Sequence, residues 1–194
     1  MIKKELRTAQ IEPLIEQDEM IVEGRALTYD SPTVLYEKDG LKYYEVIERG
    51  ALDGANLSDV PFKYNHNDGF MIMARTRNKT LELIPTDEGL NIRASLANTT
   101  AGRDLYELIK RGDIDKMSFA FTVAEATYNR QTRTRHIKKI KKLYDVAAVD
   151  VPAYDDTYIS ARSFFDLERE KEELDNLKRR KLALQIEIMR GVKK

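Results

Sequence analysis

Apolar and polar positions follow a strand-like period of two in short stretches of residues 1–160. The last thirty or so residues follow a helical period. Met20-Ile-Val-Glu-Gly-Arg-Ala-Leu-Thr-Tyr29 has the β-branched and aromatic enrichment of a strand and is stopped by Asp30-Ser-Pro32. Leu41-Lys-Tyr-Tyr-Glu-Val-Ile-Glu48 reads as a second strand, entered through the turn Lys38-Asp-Gly40. Met71–Arg77 and Thr80–Ile84 predict a hairpin over Asn78-Lys79, and Thr86-Asp-Glu-Gly89 hands over to the alternating Leu90–Leu96. These three runs predict a meander. Met117–Val123 and Leu143–Val151 predict two later strands, the second ended by Pro152.

Two segments break the strand pattern. Between Thr99 or Thr100, as a cap, and Gly112, as a left-handed stop, Leu105, Leu108 and Ile109 form the apolar stripe of a helix. From Ser163 there is no glycine before Gly191 and no proline. Leu167, Leu174, Leu177, Leu184 and Ile188 recur at coiled-coil steps, although Glu170 and Lys181 occupy seam positions that should be apolar. The expected organisation is a β-rich domain over residues 1–160 and a charged helical tail over residues 161–194.

The chain has 194 residues, 42% of them hydrophobic, enough for one domain with a sizeable core. It has no cysteine, which excludes thiol catalysis, disulfides and cysteine-ligated zinc. No apolar run approaches the roughly 20 residues that span a bilayer. The opening Met1-Ile-Lys-Lys-Glu-Leu-Arg7 has no apolar core after it, so neither a secretion signal nor a membrane partner is expected. Formal net charge is zero, but Arg130–Lys142 carries seven basic residues and no acid. Such a run reads as the solvated face of a hairpin, or as a nucleic-acid or acidic-scaffold contact. Phosphate-binding glycine loops and histidine-zinc patterns are missing from the sequence, so no cofactor or metal is expected.

Candidate chemistry is sparse. His66 lies in the polar turn Tyr64-Asn-His-Asn-Asp-Gly69, a place for a general base and equally for an inert surface histidine. Ser118 opens an apolar strand between Met117 and Phe119. Its hydroxyl needs a partner, either a backbone carbonyl or an imidazole that would make it a nucleophile. No GxSxG surrounds it, so it is not the nucleophile elbow of an α/β hydrolase. Asp145 alternates with Leu143, Ala147 and Val149 and therefore needs a partner. Orienting a histidine and pairing with a lysine are the two readings.

Six stretches carry a resemblance. They are Glu23-Gly-Arg-Ala, Glu45-Val-Ile-Glu-Arg-Gly-Ala-Leu, Tyr64-Asn-His-Asn-Asp, Asp87-Glu-Gly-Leu, Met117-Ser-Phe-Ala-Phe and Asp145-Val-Ala-Ala-Val-Asp-Val-Pro-Ala-Tyr. In this order and spacing, from about residue 20 to about residue 160, they resemble the prohead maturation proteases of tailed phages, relatives of herpesvirus assemblin. The resemblance implies an α+β fold, a mostly antiparallel β-barrel with a few helices and a C-terminal helical tail. It implies a serine endopeptidase with Ser118 as nucleophile and His66 as base. The third role falls on Asp145, one methylene shorter than the glutamate usual there, with His136 as the alternative. Implied partners are the major capsid protein with its scaffolding segment and further copies of the chain, inside the procapsid in the cytoplasm of an infected bacterium. Gly102 and Arg103 are the candidate oxyanion donors. Autolysis near Ser160-Ala-Arg-Ser163 is expected to release the tail. The competing readings are a non-enzymatic head-assembly scaffold or capsid adaptor, and a nucleic-acid binder acting through Arg130–Lys142.

Overall fold

Strands carry most of the fold. The computed structural model describes residues 4–16, 19–69, 71–150 and 154–191. It divides into two compact units, Met1–Tyr158 and Ile159–Lys194. The strands are β1 (Glu5–Glu16), β2 (Glu19–Thr28), β3 (Thr33–Lys38), β4 (Leu41–Ile47), β5 (Pro61–Tyr64), β6 (Ala74–Arg75), β7 (Leu81–Thr86), β8 (Gly89–Ser95), β9 (Lys116–Asn129) and β10 (Thr134–Val149). The helices are α1 (Thr100–Arg111) and α2 (Tyr154–Gly191). Among the described residues no helix is long and apolar enough to cross a membrane.

The ladder runs β3-β4-β10-β9-β1-β2-β8-β7. Its two outer strands, β3 and β7, are not paired with each other among the described residues, so the expected closed barrel does not form. The sheet is mixed, mostly antiparallel with two parallel pairings at β10. One edge of the 16-residue β10 carries β9. Along its other edge it carries β4 and then β5, both parallel to it. The sheet therefore forks at β10, and among the described residues the short β5–β6 branch ends without joining another strand. The hairpin expected over Asn78-Lys79 is likewise not formed. Ala74–Arg75 pairs with β5, a 3-10 turn at Thr76–Asn78 intervenes, and Leu81–Thr86 pairs with β8.

One apolar cluster gathers residues from β1, β2, β5, β8, β9, β10 and α1, so the twisted sheet bends round a single core. Helix α1 is capped by Thr99, whose Oγ1 accepts from Gly102 N at 3.1 Å, and it stops at left-handed Gly112. It buries Leu105, Tyr106 and Ile109; the expected Leu108 is exposed.

Strand β1 was not visible in the hydrophobic pattern, yet it lies between β2 and β9. Its residues alternate faces. Leu6 lines a cleft, whereas Arg7 enters a buried ion cluster with Glu5, Glu45 and Arg135. Arg135, read from the sequence as part of a solvated basic run, is thus 9% exposed and ion-paired.

Candidate active site

Strands β9 and β10 bring the candidate residues together through their register. Ser118 lies opposite Ala147, and Ala120 lies opposite Asp145. Directly opposed residues in an antiparallel pair share a face, so Ser118, Ala120, Asp145 and Ala147 line one side. Met117, Phe119 and Phe121 turn the other way, into the core. The expectation that Leu143 shares a face with Asp145 fails because of a bulge. Leu143 opposes Phe121 and Asp145 opposes Ala120, so one residue of β10 is extra between them. The bulge reverses the alternation, sending Leu143 into the core and Asp145 to the site face.

His66 arrives from the loop after β5. Asn65 and His66 both have positive φ, 51° and 53°, and Asn67 N donates to Tyr64 O at 3.1 Å. This is the backbone of a type I′ turn, with His66 at its second central position. Left-handed non-glycine residues cost on the order of 1–3 kcal/mol each and persist where their surroundings hold them. Here Asn65 N donates to Ala148 O at 2.9 Å, and Asn65 Nδ2 and Tyr64 Oη donate to Asp150 at 2.8 and 2.7 Å. The bond to Asp150 also pushes the Tyr64 hydroxyl pKa up. The end of β10 therefore fixes the turn that presents His66.

The imidazole Nδ1 meets Asp145 Oδ1, and the carboxylate is almost wholly buried. This leaves Nε2 as the ring nitrogen free to exchange a proton. His66 Nε2 and Ser118 Oγ are both buried, and neither has a hydrogen-bond partner among the described residues. Buried polar atoms are satisfied in the great majority of cases, so these two are exceptions, as is Thr122 Oγ1 further along β9.

Lys63, which the sequence reading did not single out, completes the group. It opposes Ala147 across the parallel β5–β10 pair and so joins the same face. Its Nζ lies 3.5 Å from Asp145 Oδ2 and donates to Asp68 Oδ1 at 2.5 Å. That hydrogen bond, with the charge of Lys63, holds the Asp68 carboxyl below the ordinary carboxylate range. Phe62 and Tyr64 flank Lys63, so its sequence signal was only that of a polar residue in an alternating strand. Lys4, Leu6, His66, Asp68, Ala120 and Asp145 line an open cleft at this face.

His136 stands elsewhere. It opposes Thr127 on β9, nine residues from Ser118, or about 30 Å at the rise of a strand. Its Nδ1 lies 3.2 Å from Glu48 Oε1. The oxyanion expectation at Gly102 and Arg103 is corrected too. Gly102 N donates to Thr99 Oγ1 and Arg103 N to Thr99 O, so the helix cap consumes both donors. Among the described residues no cluster of His, Asp and Glu is arranged to hold a metal ion.

A family model described as Caudovirus prohead serine protease matches residues 4–172. A search of curated proteins by sequence finds no match. Among solved structures, the chain is similar to the bacteriophage T4 capsid assembly protease, gp21. The identity is 13% and the TM-score 0.48, over 77% of this chain and 99% of that one.

Proposed function

This chain belongs to the Caudovirus prohead serine protease family, and from that premise we propose that Ser118, His66 and Asp145 are its catalytic triad. The observation that carries the reading is the pair of buried, unpartnered atoms, Ser118 Oγ and His66 Nε2, beside an imidazole whose Nδ1 is taken by Asp145. In this reading a peptide in the cleft brings the two together. His66 Nε2 takes the hydroxyl proton as Ser118 Oγ attacks the scissile carbonyl. The imidazolium then gives that proton to the leaving amine, which departs and leaves an acyl-enzyme. Water, deprotonated by the same nitrogen, hydrolyses the ester and returns Ser118. Asp145 fixes the tautomer and stabilises the imidazolium. Lys63 is a positioning residue that holds the second carboxylate oxygen.

The substrate in this proposal is the scaffolding segment of the major capsid protein, cut inside the procapsid in the host cytoplasm. The chain also cuts itself near Ser160–Ser163, separating the protease of residues 1–160 from its tail. That junction lies in the first turns of α2. A protease reads extended peptide, so cutting there requires those turns to open, a local unfolding of the kind common at helix ends.

The test is co-expression with the capsid protein, comparing the native chain with Ser118→Ala by intact mass. Ser118→Ala is expected to lower turnover by about 10⁴-fold or more and to abolish both cuts. A fluorophosphonate should label the native chain at Ser118 and not the variant. Unchanged processing by the variant would sink the assignment. An unlabelled, unprocessed native chain would favour a non-enzymatic head-assembly protein.

A further inference from the structure

The tail helix exposes the seam that its sequence repeats. Leu167, Leu174, Leu177 and Leu184 are 57%, 52%, 65% and 58% exposed along α2. In heptad terms Leu167, Leu174 and Lys181 take one seam position, and Glu170, Leu177 and Leu184 take the other. Leu182 and Ile186 lie off this seam.

We propose that this seam pairs with the same seam of a second copy, antiparallel, with Glu170 set against the partner's Lys181. The occupant follows from charge complementarity. In an antiparallel coiled coil, each first-type seam position meets a second-type position of the other helix. One register sets Leu167 against the partner's Leu184 and Leu174 against the partner's Leu177. The same register sets each Glu170 against a Lys181. The two residues that spoil the seam within one helix therefore neutralise each other across two. Glu173 meets the partner's Arg180 on the flank, although Lys171 meets the partner's Lys178 on the solvated rim. A parallel, in-register pair would bury Glu170 against Glu170 and Lys181 against Lys181, which is unfavourable on both layers. The helix is acidic over its first half and carries Lys178, Arg179, Arg180 and Lys181 in its second, so antiparallel pairing also brings opposite halves together.

The test uses the full chain with Ser118→Ala to keep the tail attached. Sedimentation velocity across about 1 to 100 µM should show a reversible monomer–dimer equilibrium. Glu170→Lys or Lys181→Glu alone should weaken the dimer at least about tenfold, since each places like charges in the seam. The double variant Glu170→Lys/Lys181→Glu should restore it to within about threefold. Both residues are exposed, and circular dichroism will show whether each variant keeps its helix. A monomer at every concentration would overturn the proposal and leave the seam for another protein. Single variants that dimerise as well as the parent, or a double variant as weak as the singles, would overturn the antiparallel register.

Discussion

Two groups of charged side chains are buried in this sheet, one around Glu45 and one around Asp145, and they differ in how the groups about each carboxylate are engaged. In the first, Glu45 accepts from Arg7 Nε and Nη2 at 2.5 and 2.7 Å, and from Arg135 Nη1 at 3.2 Å. Glu5 accepts from both arginines, and the Arg7 guanidinium stands 5.3 Å from the Phe121 ring centroid. Two acids balance two bases, and every carboxylate oxygen has a donor. In the second, Asp145 is held by His66 and Lys63, but His66 Nε2 and Ser118 Oγ stand open. With both carboxylates fully engaged, the first cluster is a clamp that ties β1, β4 and β10 together. In the second, the two atoms without a partner are those that the proposed triad would use.

The sharpest break in that contrast is Asp145→Asn. The amide keeps the shape but can donate to Nδ1, which selects the wrong tautomer. Turnover should fall by about 10⁴-fold, while the unfolding midpoint moves little. Measured kcat on a scaffold peptide checks it, and an equally large loss from His136→Ala would transfer the role to His136. Glu45→Gln is the mirror experiment on the clamp. Leaving two buried guanidinium groups facing a neutral amide should cost about 3–5 kcal/mol of stability, read by urea denaturation. Turnover per folded molecule should stay near the parent value. A large loss of kcat with unchanged stability would mean that the two clusters are not separate in role.

The contrast also explains what the sequence disclosed. The residues of the site sit in local motifs, so Tyr64–Asp68, Met117–Phe121 and Asp145–Tyr154 were legible one stretch at a time. What joins them is register, which a linear pattern does not carry. The bulge before Asp145 and the parallel pairing that sets Lys63 opposite Ala147 are both products of chain segments far apart in sequence. The clamp was invisible for the same reason. Arg135 sits in a run of basic residues that looks solvated, and Glu5 and Arg7 sit in a segment whose polar content hides a strand. The helix α1 was legible because its caps are local, down to Thr99 and Gly112. Tyr106 replaced Leu108 on its buried face only because the core lies on that side.

Lys63→Met probes the side of the site that sequence alone missed. Removing the ammonium frees Asp145 Oδ2 and loosens the imidazole, so kcat should fall about 10- to 100-fold, the scale of a lost supporting contact. KM should hold, because Lys63 acts through Asp145 rather than on substrate. In an Asp145→Asn background the same change should cost little more, since the two residues act as a unit. Additive losses would instead make Lys63 a substrate contact or a general structural element.

The smallest expected effect is a pH dependence of stability in which the clamp has a separable part. Burial by itself would raise the Glu5 carboxyl. The hydrogen bond from Arg135 and the charges of Arg7 and Arg135 outweigh it, and the pKa lies below the ordinary 4.5. A lowered folded-state pKa means that the native chain binds fewer protons than the unfolded one in this range. Glu5 therefore contributes stability that is fully present above about pH 4.5 and is lost as pH falls through the folded value. Asp59, Asp68 and Asp115 are held low as well, by Arg75, Lys63 and Lys116, but they are solvent-exposed or nearly so, and screening reduces their share. Glu5→Gln isolates the clamp's part of the slope. Urea midpoints measured from pH 6 down to pH 3 should fall less steeply in the variant than in the parent. Parallel slopes would show that Glu5 is not ionised and paired in the folded chain, and the clamp would then lose one of its two acids.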